Sequence, residues 1–226
     1  MVQPSAAACA GLACGVALGV LACQQLRPRR PRRIFIMRHG PKETNTADRD
    51  NFQLMLLPEA HDALRELHAF LEAHAVTFSA VLSSPYRRCR ETAAAVAPSS
   101  MPVIEPGLSE VLGVKHGLRD GRGGAGSLHS TRDRIQELVQ GQRSGPIISP
   151  QELEIDEDGT FMACMKRSCK LVEQLSSRYP QGDLLLVGHG GSCFGVINAC
   201  LHAVAVPFEG KGCPDMGSIT VLEEVT

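Results

Sequence analysis

Short, mostly apolar runs alternate along the chain with longer segments of helical periodicity, and this alternation limits the possible folds more than any other feature. The runs predict strands at Ile34–Met37, Ala80–Leu82, Pro102–Glu105, Leu184–Val187 and, as a last edge strand, Ser218–Glu223. Helices are predicted over Pro58–His74, 86–97, 159–178 and Gly191–His202. Strands without a solvated face are typical of parallel sheets that helices cover on both sides. The pattern therefore predicts an α/β protein with three α/β/α layers and a mostly parallel central sheet.

The composition fits one globular domain with an unusual leading segment. Of the 226 residues, 43% are apolar and 21% are charged, which excludes disorder, collagen-like repeats and a small disulfide scaffold. Residues 1–26 carry no charged side chain, whereas residues 34–226 hold 18 Lys and Arg against 24 Asp and Glu. An acidic body without alternating aromatic and basic residues argues against a nucleic-acid partner.

The leading segment has the length and apolarity of a membrane anchor. Residues 6–23 contain no polar group except thiols, and a helix of this length would be about 27 Å long, just enough to cross a bilayer core. Neither a secretory signal peptide nor a mitochondrial presequence matches, because no basic residue precedes this segment and it is not amphipathic. We therefore predict a signal anchor over residues 1–26 and a basic juxtamembrane collar over residues 27–33.

The arginines of this collar set the expected orientation. They are Arg27, Arg29, Arg30, Arg32 and Arg33. By the positive-inside rule they place the rest of the chain in the cytosol, on the mitochondrial outer membrane or the endoplasmic reticulum. Gly11, Gly15 and Gly19 share a helical face and predict a homodimer contact in the bilayer, although such spacing also arises by chance in an Ala/Gly-rich tract.

Polar side chains collect where the predicted strands end. Arg38 and His39 follow the first strand, Ser83 to Arg88 the second, Glu110 the third and His189 the fourth. In parallel sheets, ligands bind beyond the carboxyl ends of the strands. Core packing gives no reason for such groups at four strand ends, so we predict an active site there.

Two histidines, two arginines and a glutamate suit phosphoryl transfer through a phosphohistidine. A neutral imidazole, with a pKa near about 6.5, can attack phosphorus without a separate base. The planar guanidinium groups of arginine match the oxygens of the transferred group, and a carboxylic acid can protonate the leaving alkoxide. No metal or other cofactor is required, because the arginines supply the positive charge.

Four motifs carry a resemblance to a known family. They are Arg38-His39-Gly40, Ser83–Ala93 (SSPYRRCRETA), Glu105–Glu110 (EPGLSE) and Val187–Gly190 (VGHG). In this order they resemble the histidine phosphatase superfamily, also called the phosphoglycerate mutase-like family. The third resembles the segment that delivers the acid in the Sts/TULA-type protein phosphatases. The resemblance spans residues 34–223 and implies a phosphoglycerate mutase-like fold and a phosphatase acting on a phosphoprotein or a small phosphomonoester.

The resemblance also implies a role for each matched residue. His39 would be the nucleophile, Arg38 and Arg88 would hold the phosphoryl oxygens, His189 would donate to the same group, and Glu110 would be the acid and then the base. Asn45 stands where the mutase branch has a phosphate-contacting Asn, although an Asx turn also explains an Asn there.

Several features leave alternatives open. Glu43 is a rival to Glu110 as the acid, since sequence cannot apply a geometric test. Pro41 replaces the Glu that often follows the first motif, and the chain has no Trp, which leaves the substrate open. The alternatives are a phosphoglycerate mutase or sugar bisphosphatase activity, and a non-catalytic scaffold that binds phosphoproteins.

Residues 115–150 show little hydrophobic periodicity and are predicted to be an insertion in the domain. Lys115 to Arg143 holds six basic against three acidic side chains. A basic flap over the active site would favour an anionic substrate, and an ordinary solvated loop explains the same charges.

Overall fold

A five-stranded sheet forms the centre of the fold. A computed structural model describes residues 31–44, 50–112, 127–155, 161–203 and 213–223. The strands are β1 (Arg33–Arg38), β2 (Phe78–Ser83), β3 (Val103–Ile104), β4 (Asp183–Gly188) and β5 (Ile219–Glu223). The helices are α1 (Pro58–Ala73), α2 (Arg87–Val96), α3 (Ser127–Gln140), α4 (Met162–Arg178) and α5 (Gly190–Ala203). Three short 3-10 helices are Asn51–Gln53, Pro106–Leu108 and Pro150–Glu152.

The strand order is β3-β2-β4-β1-β5. β1 and β2 both run parallel to β4, β3 runs parallel to β2, and β5 is an antiparallel edge strand on β1. All six residues of β4 are buried, as expected for a strand covered on both faces. The prediction of a mostly parallel sheet is therefore confirmed.

Each face of the sheet carries its own apolar layer, because alternate side chains of a strand point to opposite sides. On one face, Phe35 and Met37 of β1 pack in a cluster with residues of α1 and α2. On the other face, Ile36 joins a cluster with residues of α4 and α5. The predicted three-layer α/β/α architecture is confirmed.

Part of the predicted insertion is regular structure. α3 lies within residues 115–150, and its Ile135 is fully buried in a third apolar cluster with Phe52, Tyr86, Leu112 and Leu153. Arg134 of α3 pairs with Asp50 at 2.7 Å, so this basic side chain binds the domain itself. The domain boundaries and the expected flap stay predictions, since residues 113–126 lie outside the described ranges.

The predictions of a transmembrane signal anchor and of a membrane-bound location are corrected. No helix in the described ranges is long and apolar enough to cross a membrane. The longest has 17 residues, α4, and it carries charged side chains along its length. Residues 6–23 and the expected dimer contacts at Gly11, Gly15 and Gly19 lie outside the described residues.

Two arginines of the expected juxtamembrane collar are bound in the domain. Arg32 is 8% exposed and donates to the Tyr179 carbonyl and the Ser176 hydroxyl, both at 2.8 Å. Arg33 forms a salt bridge with Asp183 at the start of β4. The charged groups of Arg32 and Arg33 therefore have partners within the domain.

Candidate active site

The two histidines lie side by side because their strands are neighbours. Arg38, the last residue of β1, is in register with Gly188, the last residue of β4. The next residue in each strand is a histidine, and the His39 N–H donates to the Gly188 carbonyl at 3.0 Å. The ring centroids are 5.3 Å apart, and the two side chains are 2% and 0% exposed. The site therefore begins at the carboxyl edge of the sheet, as the sequence predicts.

The ring of His39 has a defined proton position. Its Nδ1 lies 2.8 Å from the Gly40 carbonyl, which can only accept, so Nδ1 carries the proton and the lone pair is on Nε2. Burial, together with the nearby charges of His189 and Arg88, lowers the pKa of His39 to about 2. His39 is therefore a neutral imidazole at physiological pH, with Nε2 available as a nucleophile.

Arg88, near the start of α2, is the charged centre of the site and is 1% exposed. One terminal nitrogen, Nη1, donates to the Asn51 carbonyl at 2.7 Å. The other, Nη2, lies 3.3 Å from Glu110 Oε2 and 3.1 Å from His189 Nδ1. Its guanidinium also lies 4.8 Å from the centroid of the Tyr86 ring. These contacts fix the orientation of the guanidinium plane.

Arg38 is the last residue of β1 and directly precedes His39. Its Nη1 donates to the Pro214 carbonyl at 2.8 Å. The Nε atoms of Arg38 and Arg88 are both buried and have no hydrogen-bond partner among the described residues. Unpaired buried donors are rare and costly in folded proteins, and they occur at functional sites. Both donors suit the oxygens of a bound anion.

The Glu110 carboxylate completes the contact network. Its Oε2 lies 3.2 Å from His189 Nδ1, and its side chain is 25% exposed, which gives it access to solvent. Burial alone would raise the pKa of Glu110, but His189 and the Arg88 guanidinium outweigh burial and hold this pKa well below its usual range. Glu110 is therefore ionised when no anion is bound.

His189 is held by groups from two other elements. Its Nε2 lies 2.9 Å from the Ser84 hydroxyl and 3.4 Å from the buried Cys89 Sγ. Burial lowers the pKa of His189 to about 4, although the Glu110 carboxylate opposes this effect. The single ring proton has two possible positions: on Nε2, where it is donated to Ser84, or on Nδ1, where it is donated to Glu110.

Most of the residues predicted from the sequence meet at one place. His39, Arg88, Glu110 and His189 form a connected cluster, and Arg38 flanks it. Asn45 lies outside the described residues. Glu43 Oε2 accepts from the Met55 backbone N–H at 3.4 Å, whereas Glu110 contacts both Arg88 and His189.

Some residues of the site were not assigned a role from the sequence. Asn51 orients Arg88, and Ser84 bonds His189. Lys42 is half-buried beside the cluster, and its pKa is lowered by burial and by the nearby charge of Arg88. In the sequence, the position of Lys42 three residues after His39 could have indicated that it lies near the site. No sequence pattern indicated a role for Asn51, because a polar residue in a polar segment does not stand out.

The backbone of the segment that carries Glu110 is bound by a buried arginine. Arg167 of α4 is 5% exposed and donates to the carbonyls of Gly107, Ser109 and Glu110. In the sequence, Arg167 lies on the apolar side of a predicted helix, which could have indicated a buried role, but helical arginines usually face solvent.

Within the described ranges, no group of three or more His, Cys, Asp or Glu side chains is arranged to hold a metal ion.

Comparison with known proteins identifies the fold. The model of the histidine phosphatase superfamily (branch 1) matches residues 34–224. Comparison with the curated protein sequences gives no match.

Three solved structures illustrate the structural similarity. The ecdysone phosphate phosphatase from Bombix mori, in complex with tungstate, has a TM-score of 0.59 at 15% identity, over 84% of this chain and 88% of that one. A putative alpha-ribazole-5'-P phosphatase from Escherichia coli has a TM-score of 0.54 at 19% identity, over 84% and 89%. A phosphoserine phosphatase mutant from Entamoeba histolytica, in complex with phosphoserine, has a TM-score of 0.52 at 17% identity, over 84% and 89%. At these identities the similarity establishes the shared fold.

Proposed function

The chain belongs to the histidine phosphatase superfamily, and we propose that it hydrolyses phosphomonoesters through a phosphohistidine intermediate on His39. One observation carries this proposal: a buried neutral histidine, a second histidine, a fully buried arginine and a carboxylate form one contact network at the carboxyl edge of the sheet. Binding alone would not need a carboxylate beside the nucleophile. The phosphatases among the structural neighbours agree with this chemistry.

In the first half-reaction, His39 Nε2 attacks phosphorus while the bond from phosphorus to the leaving oxygen breaks. Arg38 and Arg88 hold the phosphoryl oxygens, where negative charge is spread in the transition state. A neutral His189 with its proton on a ring nitrogen can donate to the same group. Glu110, in its protonated form, gives its proton to the leaving alkoxide and becomes a carboxylate.

The bound substrate itself makes Glu110 an acid. Without a ligand, Glu110 is ionised because Arg88 and His189 stabilise its charge. A phosphate dianion bound to Arg88 would neutralise that guanidinium and repel the carboxylate, and both effects raise a carboxyl pKa. The proton is then placed next to the leaving group only while substrate is bound.

In the second half-reaction, water attacks the phosphohistidine. The Glu110 carboxylate takes a proton from this water as the oxygen bonds to phosphorus and the bond from phosphorus to nitrogen breaks. His39 leaves as a neutral imidazole, because its lowered pKa does not favour protonation. Inorganic phosphate is released, and Glu110 again carries the proton for the next cycle or loses it to solvent.

The geometry favours Glu110 over Glu43 as the acid. The Glu110 carboxylate lies next to both His189 and Arg88, whereas the Glu43 carboxylate bonds the backbone N–H of Met55. Glu110→Gln should therefore reduce the turnover of phenyl phosphate by about 10²-fold or more. Glu43→Gln is the matched control and should retain most activity.

The proposal is tested with the full chain and 4-nitrophenyl phosphate. Wild type should release 4-nitrophenol and become labelled with phosphate in a form that is stable to base and labile to acid. His39→Ala should lose both the turnover and the label, while His74→Ala, which changes an exposed histidine at the end of α1, should keep both. Equal turnover by His39→Ala and wild type would overturn the proposal.

A further inference from the structure

The catalytic carboxylate of Glu110 stands on a segment with little regular structure. The preceding strand, β3, has only two residues, and a single 3-10 turn, Pro106–Leu108, separates it from Glu110. Such a segment cannot fix a side chain to a few tenths of an ångström by its own backbone hydrogen bonds. Its position must come from contacts with neighbouring elements.

Arg167 of α4 supplies such contacts from one side. Its Nε lies 3.3 Å from the Gly107 carbonyl, and its Nη2 lies 2.8 Å from the carbonyls of both Ser109 and Glu110. A single rigid guanidinium thus bonds three carbonyls within four residues of chain. Bonds from a charged donor are about twice as strong as neutral ones, and the planar fork fixes direction as well as distance.

The charge of Arg167 is not explained by pairing. Among the described residues no carboxylate lies within salt-bridge distance of it, and its Nη1 is buried without a hydrogen-bond partner. Burying a charge without a counter-ion is costly, and an apolar side chain of similar length would pack on the same helix face at lower cost. The carbonyls of the segment that carries Glu110 are what this buried charge binds.

The opposite side of the same segment is held by Glu105. One carboxyl oxygen of Glu105 accepts from the N–H groups of Gly107 and Ile148, and the other accepts from Ile147. The N–H side of the turn is thus bound by a buried acid and its carbonyl side by a buried base. Only the carbonyl side includes Glu110 itself, so Arg167 has the more direct control over the Glu110 backbone.

We propose that Arg167 is a positioning residue for proton transfer, which acts by holding the backbone of residues 107–110 so that the Glu110 carboxylate stays next to Arg88 and His189. The inference rests on the proposed function, since it assumes that Glu110 delivers a proton to the leaving group. The hydrogen bonds of Arg167 go to backbone carbonyls of residues 107–110 and not to His39. Its loss should therefore impair the protonation of the leaving group more than the attack by His39.

Two substrates of nearly equal size separate these effects. 4-Nitrophenolate leaves readily without a proton, whereas phenolate is more basic and depends on the acid. For Arg167→Met, the ratio of kcat/KM for 4-nitrophenyl phosphate to that for phenyl phosphate should rise about tenfold above wild type. Arg167→Lys keeps a charged donor and should restore part of the wild-type ratio.

The control for a general loss of stability is Leu175→Ala, a core change on the same helix whose side chain is 1% exposed. It should leave the ratio at the wild-type value. If Arg167→Met does not fold, the same ratio is measured for Arg167→Lys, which should then lie above wild type.

Comparison with Glu110→Gln tells a failure of this inference from a failure of the proposed function. Glu110→Gln should raise the ratio at least as far as Arg167→Met, and the double variant should raise it no further, because Arg167 acts through Glu110. A raised ratio in Glu110→Gln with a wild-type ratio in both Arg167 variants would overturn only the positioning role. An unchanged ratio in Glu110→Gln would overturn the role of Glu110 in the proposed function as well.

Discussion

Glu105 gives the protein a pH-dependent stability that can be measured directly. Its carboxyl group is fully buried and accepts three backbone N–H groups, but no Lys or Arg among the described residues pairs with it. Burial raises the pKa of Glu105 from 4.5 to about 7, against the opposing effect of those three N–H groups. Glu105→Gln removes the titrating group and keeps a carbonyl oxygen that can accept two of the three bonds.

The size and sign of the effect follow from this pKa. Because the folded protein binds the Glu105 proton more tightly than the unfolded chain, the proton favours folding at low pH. Its contribution is complete below about pH 4.5 and is lost as pH rises to about 7. A tenfold change in an acid constant corresponds to about 1.4 kcal/mol, so the free energy of unfolding should fall by about 3 kcal/mol over this range, relative to Glu105→Gln. The variant itself should lose about 1–3 kcal/mol near pH 5, since its amide N–H₂ faces the Ile147 N–H.

The assay is urea denaturation of wild type and Glu105→Gln at several pH values between 4.5 and 7.5. The histidines and the other carboxylates titrate in both proteins, so their contributions cancel in the difference between the two curves. The free energy of unfolding of wild type minus that of Glu105→Gln should fall by about 3 kcal/mol between pH 4.5 and 7, so that the variant equals or exceeds wild type in stability near pH 7. Glu66→Gln, a change of an exposed glutamate on α1, should give a curve parallel to wild type. Parallel curves for wild type and Glu105→Gln would refute the reasoning that burial dominates the ionisation of Glu105.

Three further predictions concern the site. Arg88→Lys should lower kcat/KM for 4-nitrophenyl phosphate by about 10²-fold, because one ammonium cannot make the bonds of both terminal guanidinium nitrogens; a loss below threefold would contradict this. Since burial lowers the pKa of His39 to about 2, its ring-proton NMR signals should not shift between pH 4.5 and 8, and a midpoint near 6.5 would show that the ring is not shielded. A Cβ at Gly191 would overlap the Val111 side chain, so Gly191→Ala should lower the free energy of unfolding by about 1–3 kcal/mol and reduce turnover. Gly141→Ala, where nothing lies within 4 Å, should do neither.

The sequence was most informative where burial is complete. The run Leu184–Val187 predicts a buried strand, and β4 spans Asp183–Gly188 with every residue buried. The helix predicted over Pro58–His74 agrees with α1, which ends one residue earlier, at Ala73. These elements were predictable because their apolar periodicity reflects burial that does not depend on which element packs against them. α3 was missed for the opposite reason: only a few of its side chains are apolar, and its burial depends on Ile135 meeting Leu112 and Leu153.

For the candidate site, too, some features were predictable from the sequence and others were not. His39, Arg88 and His189 each follow a strand in the sequence, so their convergence was predictable from the rule that parallel strands share a carboxyl edge. The choice between Glu110 and Glu43 was not predictable, because it depends on which carboxylate reaches Arg88 and His189. The role of Arg167 was hidden as well, since its three acceptors are backbone carbonyls nearly sixty residues away, and backbone atoms leave no pattern in a sequence.

The sequence by itself determined the three-layer fold, the edge of the sheet where the candidate active site lies, and the kind of chemistry that histidine, arginine and glutamate can perform. Only the tertiary structure decided the strand order, in which β1 lies between β4 and β5, and therefore which histidines face each other. It also decided that Arg32 and Arg33 are bound inside the domain. The physical reason is that local periodicity records whether a residue is buried, whereas distances, ionisation and positioning depend on which distant residue it is buried against.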